Sequence, residues 1–147
     1  MEAANRGAQE AGGLSVAAGI DLPSEVGANR YLDRYVNFHY FFVRKVILLK
    51  YSYAFIIFPG GFGTLDEATE ALTLISTKKL VQFPIIFFGK DYWNGFYEWL
   101  EESPLQSGAI TEEHLRMIHL TDDFDEVLRI VSQTAKDLGV QLQPLKP

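Results

Sequence analysis

The chain has no cysteine among its 147 residues. Disulfides and thiolate metal sites are therefore excluded, and a reducing compartment is favoured. It also lacks a surplus of positive charge. With 13 Lys and Arg against 19 Asp and Glu the net charge is -6, and no clustered Lys/Arg surface offers the phosphate neutralisation that a nucleic-acid partner requires. A small anion held in a local pocket is compatible with that balance. Long apolar runs are missing as well: the longest are strand-sized, too short to cross a membrane. The start Met1-Glu2-Ala3-Ala4-Asn5-Arg6 has no apolar core following a basic segment, so no cleavable signal is read there. A soluble, cytoplasmic protein is expected, with neither membrane nor nucleic acid as a partner. What the chain does have is 48% hydrophobic and 14% aromatic residues, too apolar for disorder and enough for a real core at this length.

Apolar periodicity sets out the expected elements. A helix over Met1 to Gln9 stops at Gly12-Gly13, and Leu14 to Ala18 reads as a strand. Asp21 to Arg30, punctuated by Pro23 and Gly27, reads as a long loop of the kind that often carries function. A helical period resumes over Phe41 to Leu49. Ala54 to Phe58 and Pro84 to Phe88 are near-continuous apolar strands, with a helix over Thr64 to Thr77 between them. Asp91 to Glu102 is amphipathic; after a loop, Met117 to Leu120 is a short strand and Asp122 to Leu138 a final helix. This alternation predicts an α/β, Rossmann-like doubly wound, mostly parallel sheet with helices on both faces. One domain over residues 1–140 and a fraying tail over 141–147 are expected. A doubly wound domain does not normally open on a helix, so Met1 to Asn5 reads as the middle of a βαβ unit whose first strand is absent.

The most informative residues are Pro59-Gly60-Gly61-Phe62-Gly63-Thr64-Leu65-Asp66-Glu67, set where a buried strand feeds a helix. Glycines let backbone approach an anion, the first-turn amides point at it, and the helix dipole adds roughly half a positive charge. A glycine-rich turn also serves as a plain tight connection, but this run exceeds what a turn demands. It is neither a P-loop nor a G-x-G-x-x-G fingerprint, which disfavours nucleoside triphosphate hydrolysis. Thr64 and Glu67 have the spacing of a capping box; alternatively, Glu67 stands beside the anion pocket as an acid able to stabilise ribosyl charge or activate water. Asp66 is expected to be a solvated first-turn acid. Arg44-Lys45 reads either as the exposed face of an aromatic helix or as a fork onto phosphate or carboxylate. His39, His114 and His119 show no metal-ligand spacing, so structural or surface roles are expected. Trp93, Tyr97 and Trp99 are assigned to core and helix surface, with Tyr92 or Trp93 the candidates for a pocket edge.

Phe38-His39-Tyr40-Phe41-Phe42-Val43-Arg44-Lys45 followed by Pro59 to Glu67 resembles the Lonely Guy (LOG) family, often labelled "possible lysine decarboxylase". The family signature is Pro-Gly-Gly-x-Gly-Thr-x-x-Glu with an upstream Arg-Lys, and the separation of Arg44 from Glu67 equals the family's. The likeness extends over nearly the whole chain, including Met1 to Ala8 and Leu22-Pro23-Ser24-Glu25, and is strongest to the bacterial branch. Family members carry a further upstream βαβαβ portion with its own Gly-rich segment. The resemblance implies a phosphoribohydrolase that cleaves the N-glycosidic bond of a nucleoside 5'-monophosphate, AMP or a cytokinin riboside monophosphate, to free base and ribose 5-phosphate. It implies Arg44 and Glu67 as the catalytic pair, and Glu25, Lys45, Gly60, Gly61, Phe62, Gly63, Thr64, Leu65 and Thr73 as substrate contacts. It implies a homodimer and neither metal nor organic cofactor. Nothing in the chain resembles a pyridoxal-phosphate lysine site, so the decarboxylase label is unsupported. The rival reading is a nucleotide-binding module that keeps the phosphate pocket without hydrolysis.

Overall fold

The computed structural model describes residues 1–21, 28–79 and 83–140. They form two compact units, Met1–Tyr51 and the residues from Ser52 onward, each built from parallel strands and helices. Among the described residues no helix is long and apolar enough to cross a membrane.

The first unit contains α1 (Glu2–Glu10), β1 (Val16–Ile20), β2 (Arg34–Phe38) and α2 (Phe41–Tyr51). β1 and β2 pair in parallel from Val16 opposite Arg34 to Ile20 opposite Phe38. Side chains fix the entry to this pair. The Asp33 carboxylate accepts from the Ser15 amide at 2.8 Å, and the buried Asn5 accepts from the Asn29 side-chain amide at 3.0 Å. β2 is a strand that the sequence reading did not name. Arg34, Tyr35, Val36 and Asn37 are all exposed, so the strand carries no buried run or clean alternation by which it announces itself. Phe38 ends this strand, and the helix begins at Phe41, where its apolar period starts.

The second unit holds β3 (Phe55–Ile57), α3 (Phe62–Ser76), β4 (Ile85–Phe88), α4 (Lys90–Leu100), α5 (Glu112–Leu115), β5 (Ile118–Thr121) and α6 (Phe124–Asp137). Its strands pair in parallel in the order β3-β4-β5, with Phe55 opposite Ile85 and Ile85 opposite Ile118. The central strand β4 is the core. Ile85 and Ile86 are 0% exposed and Phe87 1%, which is what a continuous apolar strand covered on both faces requires. Successive residues point to opposite faces. Phe87 therefore meets α4, edge-on to Trp93 at 4.8 Å, while Phe88 meets α6 by stacking on Phe124 at 4.4 Å. Helices thus cover both faces, as the apolar pattern predicts. α3 packs through small residues, with Ala68, Ala71 and Ile75 buried along one stripe.

Two features of the expected loop after Glu102 differ from the sequence reading. α4 runs on into a π-helical turn over Glu101–Leu105, and Thr111 and His114 form a reciprocal cap on the short α5. That cap gives His114 a structural role. His119 lies on β5 opposite Ile86 and is half-buried. Burial is the largest influence on its imidazole and holds it below the ordinary value of 6.5; Glu126 opposes the shift and Arg129 adds to it. The expected tail over 141–147 lies outside the described residues.

Two measurements check this core. Phe87→Ala leaves a cavity between β4 and α4, and urea denaturation should show a loss of about 3–5 kcal/mol. Because the folded state disfavours the charged form of His119, the unfolded chain binds more protons once the pH falls through about 6.5, and stability declines from there downward. His119→Gln should flatten that decline in melts between pH 7 and 5, and an unchanged slope would show that His119 is not its source.

Candidate functional site

The parallel sheet of the second unit brings three strand-to-helix turns to its carboxyl edge, where α/β proteins place their ligands. β3 feeds α3 through Pro59-Gly60-Gly61, β4 feeds α4 through Gly89, and β5 feeds α6 through Asp122-Asp123. Gly89 takes φ 107°, a conformation that favours glycine. Its amide donates to the Thr121 carbonyl at 3.1 Å, and the next amide, Lys90, donates to the Asp122 carboxylate at 2.8 Å. The start of α4 is thus already supplied with an anion by the chain itself. α6 is capped in the same way, the Asp123 carboxylate accepting from the Asp125 amide at 2.9 Å.

α3 is built differently. Its N-cap is Gly61, which has no side chain with which to cap the helix. The first amides to bond within the helix are those of Thr64 and Leu65, both to the Gly61 carbonyl at 3.1 Å. The amides of Gly61, Phe62 and Gly63 precede those bonds, at the positive end of a 15-residue helix dipole. The glycines are needed for different reasons. A Cβ on Gly60 would overlap the Thr64 side chain, whereas a Cβ on Gly61 or Gly63 would meet nothing within 4 Å. Gly60 therefore admits Thr64, and the other two leave open space at the start of α3. Phe62 sits beside them with its ring 93% exposed.

Of the two readings of Thr64 and Glu67, the capping box is not formed, since the N-cap is Gly61. The helix begins at Phe62, two residues before the expected start, because glycine at the N-cap permits the turn without a side-chain acceptor. Thr64 consequently stands third in the helix and leans on Gly60 instead of capping, and Glu67 stands in the second turn. Glu67 is half-buried beside the Ala68–Ala71–Ile75 stripe, while Asp66 is exposed.

The structure gathers Gly60, Gly61, Phe62, Gly63, Thr64, Leu65 and Glu67 on one turn and the helix it opens. Thr73 lies on the same helix roughly 13 Å beyond Thr64, with its hydroxyl donating to the Thr69 carbonyl at 2.8 Å. Arg44 and Lys45 belong to the first unit. Both are half-buried, and Arg44 donates through Nε to the Ala18 carbonyl of β1 at 2.8 Å. Arg44 is thereby fixed against a strand, which removes the reading of this pair as a solvated helix face. Glu25 lies outside the described residues. Two contacts at the edge were not read from sequence: the Asp122 carboxylate on α4, whose signal is the Asp122-Asp123 pair ahead of a helix, and a hydrogen bond from the Tyr92 hydroxyl to the Gly60 carbonyl at 2.8 Å.

A family model described as "Possible lysine decarboxylase" matches residues 1–131. The chain belongs to this family. It is the LOG family that the Arg-Lys and Pro-Gly-Gly-x-Gly-Thr-x-x-Glu residues resemble, and both motifs lie inside the matched range. Membership in the LOG family fits a nucleotide-processing enzyme. Curated proteins give no match to the chain.

The glycine geometry yields a test in this LOG-family chain. Gly63→Ala adds a methyl group to open space within a helix and should leave thermal stability unchanged or raise it by up to about 1 kcal/mol. The same change should weaken binding of inorganic phosphate by calorimetry, because it crowds the amides. Gly60→Ala should instead destabilise the fold through its collision with Thr64. Equal phosphate affinity in Gly63→Ala and the unmodified chain would show that the space above α3 is not where an anion sits.

Proposed function

We propose that this protein hydrolyses the N-glycosidic bond of a nucleoside 5'-monophosphate, AMP or a cytokinin riboside monophosphate, releasing free base and ribose 5-phosphate. The observation that carries the reading is the glycine-opened start of α3 with a half-buried glutamate in its second turn. A phosphate seated there accepts from the amides of Gly61, Phe62 and Gly63. Hydrogen bonds to a charged group contribute about 1.5–3 kcal/mol each, against about 0.3–1 kcal/mol from the dipole alone, so the amides supply most of the grip. Binding energy gained at the phosphate, remote from the reacting carbon, then serves the chemistry at the sugar.

In the reaction the C1'–N bond breaks as its electron pair leaves with the base, and positive charge spreads over C1' and the ring oxygen. Glu67 faces that charge as a carboxylate and orients the attacking water. Water adds its oxygen to C1', and one of its protons balances the departing base. Arg44 is the second member of the catalytic pair. Lys45, Leu65, Thr64, Thr73 and Glu25 are further substrate contacts on the strength of their match to the family motif. The reaction as written consumes water alone. The family likeness also supports a cytoplasmic homodimer as the working form.

Glu67→Gln keeps the shape and removes the charge. Release of free base from AMP should fall by about 10²–10³-fold, while the melting temperature and AMP affinity remain near those of the unmodified protein. Wild-type turnover in that variant ends the proposal. AMP binding by the unmodified chain with no ribose 5-phosphate formed identifies a nucleotide-binding module instead.

A further inference from the structure

The hydroxyl of Tyr92 donates to the carbonyl of Gly60 at 2.8 Å, across from the first turn of α4 to the turn that opens α3. Burial of the ring does not explain this placement, since Tyr92 is 54% exposed. The ring is instead set by its neighbours. It packs edge-on against Trp93 at 4.8 Å, and Trp93, 2% exposed, packs edge-on against Phe87 of the central strand, also at 4.8 Å. The backbone beneath it is held as well, with the Tyr92 amide donating to the Gly89 carbonyl at 3.1 Å and the Lys90 amide to Asp122. A contiguous path of packed rings therefore carries the position of β4 out to the Gly60 carbonyl.

The consequence follows from peptide geometry. Across a planar trans peptide the carbonyl of one residue and the N–H of the next point in opposite directions. Every described peptide bond here is trans, so anchoring the Gly60 carbonyl on Tyr92 turns the Gly61 N–H away from α4. Glycine on both sides of that bond would otherwise let the plane rotate with little resistance. We propose that Tyr92 is a positioning residue for the anion cradle, fixing the Gly60–Gly61 peptide so that the Gly61 amide is aimed before the phosphate of a nucleotide arrives. The inference rests on the cradle being the phosphate site and adds a named determinant of its affinity.

The test is Tyr92→Phe, which removes the hydroxyl and keeps the ring stack. Calorimetric titration with inorganic phosphate and with AMP should show affinity lowered about five- to tenfold relative to the unmodified chain, the scale of one weakened hydrogen bond. The melting temperature should hardly change. In the base-release assay kcat/KM for AMP should fall by a similar factor, because the amide's grip on the phosphate is carried into the transition state. Tyr92→Ala, which also removes the ring, guards against an unrelated effect: a loss of affinity in Ala but none in Phe would assign the role to ring packing and overturn the latch. Unchanged phosphate and AMP affinity in Tyr92→Phe overturns it too. Should the unmodified chain bind neither ligand, the cradle reading itself fails and the latch with it, an outcome distinct from the previous two.

Discussion

An α-helix that begins without a side-chain acceptor presents backbone amides that need a partner, and the carboxyl edge of the second unit is organised around that requirement. Two of its helices receive an aspartate from the chain, α4 from Asp122 and α6 from Asp123. α3 opens on glycine. Thr64, a residue type well suited to capping, is placed third in the helix, and its side chain closes over Gly60. The difference between neighbouring helix starts built from the same sheet is what makes this edge directional: aspartates serve α4 and α6, and α3 opens on glycine.

The precision of that edge depends on β4. With Ile85, Ile86 and Phe87 fully covered, burial of several large side chains at about 1.5–3 kcal/mol each makes its register hard to displace. A slip by one residue would exchange the Phe87 and Phe88 faces and lose the packing on both α4 and α6. Because Gly89 follows β4 directly, the strand sets where α4 starts, and α4 sets where Tyr92 stands. Stability and site geometry in this unit therefore share a single source.

Much of this was legible in the residues. Ala54 to Phe58 and Pro84 to Phe88 contain β3 and β4, because runs of Ile and Phe of that length between turn residues have few other uses. The glycine turn and the helix after it were equally plain. β2 was not, since Arg34 to Asn37 are exposed and the strand is defined by its partner β1, a nonlocal fact. The Thr64–Glu67 spacing suggested a cap that did not form, because local spacing cannot tell an N-cap from the third helical residue when glycine offers an earlier start. The Tyr92 bond to Gly60 joins residues far apart in the chain, and only packing against Trp93 and Phe87 brings them together. For the same reason the fixing of Arg44 on Ala18 was beyond a reading in which its helix could be exposed on either face.

The ties among the three turns have a dynamic consequence. Gly89 is bonded to Thr121, Lys90 to Asp122 and Tyr92 to Gly60, so none of these connections loosens without disturbing the next. Loops usually fluctuate one by one at the low end of a protein's range of opening free energies. Here the loops at one end of the sheet are laced into a cooperative rim, and the rim inherits the rigidity of the strand at its centre.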